Sequence, residues 1–90
     1  MDEKIYIFHG EGAQFSSAVF DHLSKAEKWI TENELTGILT VYPLNVPVYD
    51  WAIEKGYFTP KKEHQSSAKF ISRFTSASQE HYHYENGKNS

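Results

Sequence analysis

The sequence predicts an α+β fold, a small, mainly antiparallel sheet of about four strands with two or three short helices packed on it. Segments rich in β-branched and aromatic residues alternate with segments whose apolar residues recur at helical spacing, and glycine or proline separates them. The composition is that of a globular chain, with 39% hydrophobic and 16% aromatic residues among 90; disordered chains lack such bulky side chains. The predicted order is strand, strand, helix, strand, helix, helix, strand, which is typical of the α+β class.

The first two strands are predicted to form a hairpin. Residues 4–9 (KIYIFH) are apolar or aromatic on both faces, which indicates a central strand. Gly10-Glu11-Gly12 is a turn signal, and residues 14–20 alternate loosely, as a returning strand does.

A helix is predicted next, because Ser24 with Glu27 three residues later fits a capping box. The helix should end near Asn33-Glu34. Its apolar face is formed by Ala26, Trp29 and Ile30.

The middle of the chain predicts a strand and then a second helix. Residues 35–42 (LTGILTVY) are rich in β-branched residues and stop at Pro43, which cannot donate to a sheet. Pro47 fits the first turn of a helix, and Gly56 fits the position just after its end. Asp50 and Glu54, four residues apart, share the outer face of this helix.

The last third predicts a loop, a third helix and a final strand. Residues 59–65 form the loop, and Ser66 or Ser67 caps a helix whose inward side chains are Phe70, Ile71 and Phe74. Residues 81–85 alternate strictly and read as a strand, which as an exposed edge could pair with a second copy. We expect a monomer or a weak homodimer.

One domain is expected over residues 1–90, with an ordered core at about 4–86 and a frayed tail at 87–90. Cysteine is absent, which excludes disulfides and thiolate chemistry. The N-terminus is charged, and the apolar runs are much shorter than the roughly 20 residues that span a bilayer. These features predict a cytoplasmic protein without membrane contact.

Catalysis is not predicted. His9-Gly10-Glu11-Gly12 is similar to an oxyanion-hole loop, but no G-x-S-x-G elbow accompanies it. The carboxylate pairs Asp50 with Glu54 and Glu32 with Glu34 lie on predicted solvent faces or loop ends, and a raised carboxyl pKa needs burial. We therefore expect a protein that is not an enzyme and needs no cofactor.

The charge is unevenly distributed. Residues 1–54 carry nine acids against three lysines, and residues 55–90 carry six bases against three acids. This pattern fits either an ordinary solvated surface or an acidic face that meets a basic partner. The basic stretch with Lys61, Lys62, Lys69 and Arg73 follows Tyr57-Phe58 and has the groups for RNA contact, but a net charge of −3 has the wrong sign for nucleic acid. No nucleic-acid partner is predicted.

Two histidines are the candidate metal ligands. His81 and His83 are two apart on a predicted strand and therefore share a face. With a third ligand, for which His9, His64, Glu80 and Glu85 are the candidates, two imidazoles on one face could hold Zn²⁺ or Ni²⁺. The alternative is that Tyr82 and Tyr84 face the core while both histidines face water.

Aromatic residues around the second helix are the candidate partner contacts. Tyr49, Trp51, Tyr57 and Phe58 lie within ten residues. Such residues build small cores, and they also anchor protein interfaces. We expect a mixed arrangement, with Trp51 inside and Tyr49 or Tyr57 partly exposed.

Several short motifs follow one another along most of the chain. They are FHGEGA at 8–13, Ala26-x-x-Trp29-Ile30, LTGILT at 35–40, VYDWA at 48–52, GYF at 56–58 and His81-x-His83. Together they resemble a family of small, stand-alone bacterial domains of unknown function, over residues 5–87. The resemblance assigns no role to any residue.

In size, acidity and lack of a catalytic motif, the chain is also similar to the immunity proteins of contact-dependent growth inhibition toxins. This likeness implies a protein-binding domain that occludes a basic toxin domain. The predicted partner-binding residues are Asp50, Glu54, Tyr49 and Tyr57, with Glu11 in the hairpin turn. The alternative is a domain that binds a metal or a small ligand through His81 and His83.

Overall fold

A computed structural model describes residues 3–90 of the chain and confirms the α+β prediction. The elements, in chain order, are β1 (Lys4–Gly10), β2 (Ala18–Phe20), α1 (Leu23–Glu32), β3 (Gly37–Pro43), α2 (Val48–Glu54), a 3₁₀ turn (Glu63–Ser66), α3 (Ala68–Arg73), β4 (His81–Glu85) and β5 (Lys88–Asn89). Within this part of the chain, no helix is long and apolar enough to cross a membrane.

The chain divides into two compact units. The first contains the residues up to Leu44 together with Gln79–Ser90, and the second is Asn45–Ser78. The first unit holds the sheet and α1, and the second holds α2, the 3₁₀ turn and α3. That residues 1–90 form a single domain stays a prediction.

The sheet of the first unit is antiparallel throughout, in the order β2-β1-β3-β4-β5. β1 therefore has a partner on each side, as the sequence predicted. One face of the sheet packs on α1. The buried residues of this core are Phe8, Ala26, Ile30, Leu39 and Tyr84, with Trp29 packed against them.

Tyr84 is the polar member of this core. Its hydroxyl donates a hydrogen bond to the Glu27 carboxylate on α1, with 3.1 Å between the two oxygens. Burial, and then this hydrogen bond, raise the pKa of Tyr84 well above its ordinary value. The hydroxyl therefore stays protonated at neutral pH and ties β4 to α1.

The second strand is shorter than predicted. Only Ala18–Phe20 pairs with β1, whereas the prediction began at Gln14. The Ala13 N–H donates back to the Gly10 carbonyl, and the His9 ring donates to the Ala13 carbonyl at 2.6 Å. These bonds hold a longer turn, so that the second strand begins only at Ala18.

The predicted capping box of α1 is wrong. The helix begins at Leu23, so Ser24 lies inside its first turn. Leu23 packs against the core, which draws the start of the helix toward the sheet. The predicted apolar face of α1 and its end at Asn33 are confirmed. β3 begins at Gly37, two residues later than predicted, because the Leu35 N–H donates to the Ile30 carbonyl at the end of α1.

The prediction of a frayed tail is also wrong. Asn86 (φ 52°) and Gly87 (φ 83°) form a two-residue turn of the type that favours Asn-Gly, and the chain returns as β5. The Gly87 N–H donates to the Leu35 carbonyl at 2.8 Å, and the Thr31 hydroxyl donates to the Gly87 carbonyl at 3.1 Å. The turn is thereby fastened to the end of α1. β5 pairs with Tyr84 and Glu85, so this end of the predicted edge strand is not free, whereas His81 and Tyr82 have no partner in β5.

The second unit is built on four aromatic rings: Tyr49, Phe58, Phe70 and Phe74. Their ring centroids lie between 4.8 and 6.4 Å from one another. Two predicted boundaries are confirmed, because Gly56 (φ 80°) follows the end of α2 and the Ser67 hydroxyl accepts from the Phe70 N–H at the start of α3. The inward position predicted for Ile71 is wrong, since Ile71 is exposed.

Candidate functional site

The outer face of α2 and the turn after it present two carboxylates beside two apolar side chains. We name Asp50, Ile53, Glu54 and Tyr57 the α2 surface. All four are exposed, and Tyr57 is 57% exposed. Asp50 and Glu54 are one turn apart on α2, where the sequence predicted them.

Tyr57 is held in place by the turn that follows α2. Gly56 adopts the left-handed conformation, and the Tyr57 N–H then donates to the Ala52 carbonyl at 2.8 Å. The Tyr57 ring lies against Trp51, with 5.4 Å between the ring centroids. Trp51 is half-buried and supports the ring, so Tyr57 is a large, exposed and positioned side chain.

Of the two tyrosines predicted as alternatives for partial exposure, Tyr57 is the exposed one and Tyr49 is buried. It is only 8% exposed, and its hydroxyl donates to the Gln65 carbonyl at 2.8 Å. The ring of Phe74 meets it edge-on at 5.5 Å. The side chain therefore stabilises the second unit and offers little surface to a partner.

Glu11 belongs to the first unit, whereas the other predicted partner-binding residues belong to the second. It is exposed, and its N–H donates to the Thr36 carbonyl at 3.0 Å. The backbone at Glu11 is thus anchored at the end of the sheet, and its side chain remains exposed.

The two candidate metal ligands face outward. His81 and His83 are exposed, while Tyr84 is buried and Tyr82 half-buried, so the alternative with both tyrosines inward is the correct one. The two imidazole rings lie 5.2 Å apart. His81 Nδ1 donates to the Gln79 carbonyl at 2.8 Å, which leaves Nε2 with a free lone pair. No cluster of three or more metal-ligating side chains occurs among residues 3–90.

A shallow groove of about 460 Å³ lies at the end of the sheet that carries Glu11 and His83. His9, Ile38 and His83 are opposite one another on β1, β3 and β4, and they line it together with Glu11 and Glu85. His9 was one of the predicted candidates for a third ligand, and the strand order and register bring it to the same groove as His83. Ile38 stands between the two imidazoles.

Comparison with known proteins identifies one family. The family model described as a domain of unknown function (DUF7710) matches residues 5–90 of the chain. No curated protein and no solved structure matches the chain.

Proposed function

The chain belongs to the DUF7710 family of domains of unknown function, and we propose that it is a protein-binding domain without catalytic activity. In this proposal it is a bacterial immunity protein that acts in the cytoplasm and neutralises a toxin domain by covering it. The observation that carries the proposal is the α2 surface, where two exposed carboxylates flank exposed apolar side chains.

The chemistry of the α2 surface suits a basic partner. Neither Asp50 nor Glu54 forms an ion pair with any described residue, so both carboxylates are available to lysine or arginine side chains. Opposite charges accelerate encounter and suppress wrong partners more than they add affinity.

Affinity in this proposal comes from the apolar members of the α2 surface. Tyrosine is among the residues enriched at the energetic centres of interfaces, because its ring buries a large area at a low entropic cost. Tyr57 is already held by Trp51 and by the turn at Gly56. Little conformational freedom is left for it to lose on binding. The buried Tyr49 contributes indirectly, by holding α2 against the rest of the second unit.

Affinity capture with three forms of the chain tests this proposal. The baits are the wild-type chain, the charge reversal D50K/E54K and the matched reversal E32K/E34K, which changes two exposed acids at the end of α1. Lysine near a helix C-terminus is favourable, and the exposed Lys28–Glu32 ion pair that the control removes contributes little, so the control should remain folded. We expect the wild type and the control to retain one basic protein from a lysate of the source cells at low salt, and to release it at high salt. Equal retention of that protein by D50K/E54K would contradict the α2 surface.

A second candidate function is the binding of a metal or a small ligand through His81 and His83. It is supported by the 5.2 Å between the two rings and by the free Nε2 of His81. A ligand that binds only the folded state raises the melting temperature, and in a domain of this size each kcal/mol is worth about 4–8 °C. In this candidate, Zn²⁺, Ni²⁺ or Cu²⁺ raises the melting temperature of the wild type but not of H81A/H83A.

The matched control for the metal titration is H22A/H64A, which removes two exposed histidines from other parts of the chain. This variant should show the same rise in melting temperature on metal addition as the wild type. If none of the three ions moves the melting temperature of the wild type at neutral pH, the metal form of this candidate is refuted.

A further inference from the structure

The second unit carries a groove along α3 that the proposed function does not use. We name it the α3 groove and define it by His64, Lys69, Phe70, Arg73 and Phe74. Its volume is about 500 Å³, which lies within the roughly 300–1,000 Å³ of small-molecule sites. All of these residues belong to the second unit.

The floor of the α3 groove is aromatic and held in place. Phe70 stacks on Phe58 with 25° between the ring planes and 5.8 Å between the centroids. Phe74 packs against Phe58 at 4.8 Å and edge-on against Tyr49 at 5.5 Å. Phe70 and Phe74 are nevertheless only half-buried. The groove therefore presents positioned aromatic surface to solvent, which suits a flat apolar group.

The rim of the groove is cationic. Lys69 and Arg73 are four residues apart on α3 and so lie on the same side of the helix. None of the described residues lining the groove is acidic, and neither Lys69 nor Arg73 forms an ion pair within residues 3–90. His64 adds a third nitrogen-bearing side chain, and its ring lies edge-on to Phe70 at 5.9 Å. An anion beside this rim meets positive charge that nothing in the groove neutralises.

We propose that the α3 groove binds a small organic anion with a planar ring. The ring packs against Phe70 and Phe74, while the anionic group accepts hydrogen bonds from Lys69 and Arg73. The volume of the groove limits the ligand to a small molecule, and a net charge of −3 argues against a polyanion. This site is independent of the α2 surface, and its occupancy does not depend on a protein partner.

Nuclear magnetic resonance titration of the full chain tests the proposal with three probes. Adenosine 5′-monophosphate carries both a ring and an anionic group, adenosine carries the ring alone, and inorganic phosphate carries the charge alone. We expect the monophosphate to shift the amide resonances of residues 64–75 with a Kd below about 1 mM, and adenosine and phosphate each to bind at least about tenfold more weakly. Tight binding of phosphate alone would refute the role of the aromatic floor.

Two double variants locate the site. K69Q/R73Q removes both cations of the rim and should weaken binding of the monophosphate at least about tenfold. K55Q/K61Q removes two exposed lysines elsewhere in the second unit and should leave its Kd within about twofold. Exposed side chains are changed in both variants, so both should remain folded. Equal weakening by the two variants, or no shift at residues 64–75 in the wild type, would overturn the proposal.

Discussion

Replacing Leu39 by alanine should lower the free energy of unfolding by about 3–5 kcal/mol, the largest effect that we expect from a single core truncation. Leu39 is fully buried at the middle of β3, between Phe8 of β1 and Tyr82 of β4 in the sheet register. Removing three carbon atoms there leaves a cavity that neighbours on two strands cannot close. Since a chain of 90 residues has a total stability on the order of 5–13 kcal/mol, this loss is a large part of it.

Chemical denaturation of L39A beside I38A measures this effect. Ile38 precedes Leu39 on the same strand but points to the other face and is 39% exposed. I38A should lose less than about 1 kcal/mol. Comparable losses in the two variants would mean that the core does not lie on the α1 side of the sheet.

Adding one methyl group at Gly37 should be nearly as damaging, at about 3 kcal/mol. A Cβ atom there would press on the His9 carbonyl oxygen, and it would lie 2.7 Å from Cζ of Phe8 and 2.9 Å from Cα of Gly10. Two of these neighbours are backbone atoms of the paired strand, which cannot move without breaking the sheet. Thermal or denaturant unfolding of G37A measures the loss.

The control is G10A, because Gly10 is the cross-strand partner of Gly37. A Cβ atom at Gly10 meets nothing closer than 3.9 Å. Alanine there should therefore change the stability by less than about 1 kcal/mol. If G10A and G37A are equally stable, β1 and β3 do not approach each other as described.

Local signals in the sequence were sufficient for much of the fold. Pro43 ends β3, Gly56 follows α2 and Ser67 caps α3, as predicted. Each of these depends on the backbone chemistry of one residue and its near neighbours. The apolar spacing of Ala26 and Ile30 likewise predicted the buried face of α1.

The errors came from contacts between distant parts of the chain. Residues 87–90 were predicted to be a frayed tail, although Asn86-Gly87 is itself a local hairpin signal. The bonds of Gly87 to Thr31 and Leu35, which fasten the turn to α1, are long-range and were not predictable from neighbouring residues. The start of α1 moved to Leu23 because that side chain packs on the core, which a capping pattern does not report.

The candidate site, like the fold, was predictable where it depends on local spacing and not where it depends on contacts between distant residues. Helical spacing was enough to place Asp50 and Glu54 on the outer face of α2. The sequence left open which of Tyr49 and Tyr57 is exposed, because two rings that cover Tyr49 lie more than twenty residues further along the chain. They are Phe70 in α3 and Phe74 directly after it. The α3 groove was not predicted for a similar reason. Lys69 and Arg73 were interpreted as part of a basic stretch, and only the fold shows that they line one groove with Phe70 and Phe74.

The salt dependence of affinity for the captured partner is the most direct test of the proposed function. The dissociation constant should be measured at low and high salt for the wild type, for D50K/E54K and for the control E32K/E34K. We expect wild-type affinity to fall as salt rises, and D50K/E54K to bind at least about tenfold more weakly with a flatter salt dependence. E32K/E34K should follow the wild type. Unchanged affinity and salt dependence in D50K/E54K would contradict the proposal that the α2 surface binds the partner.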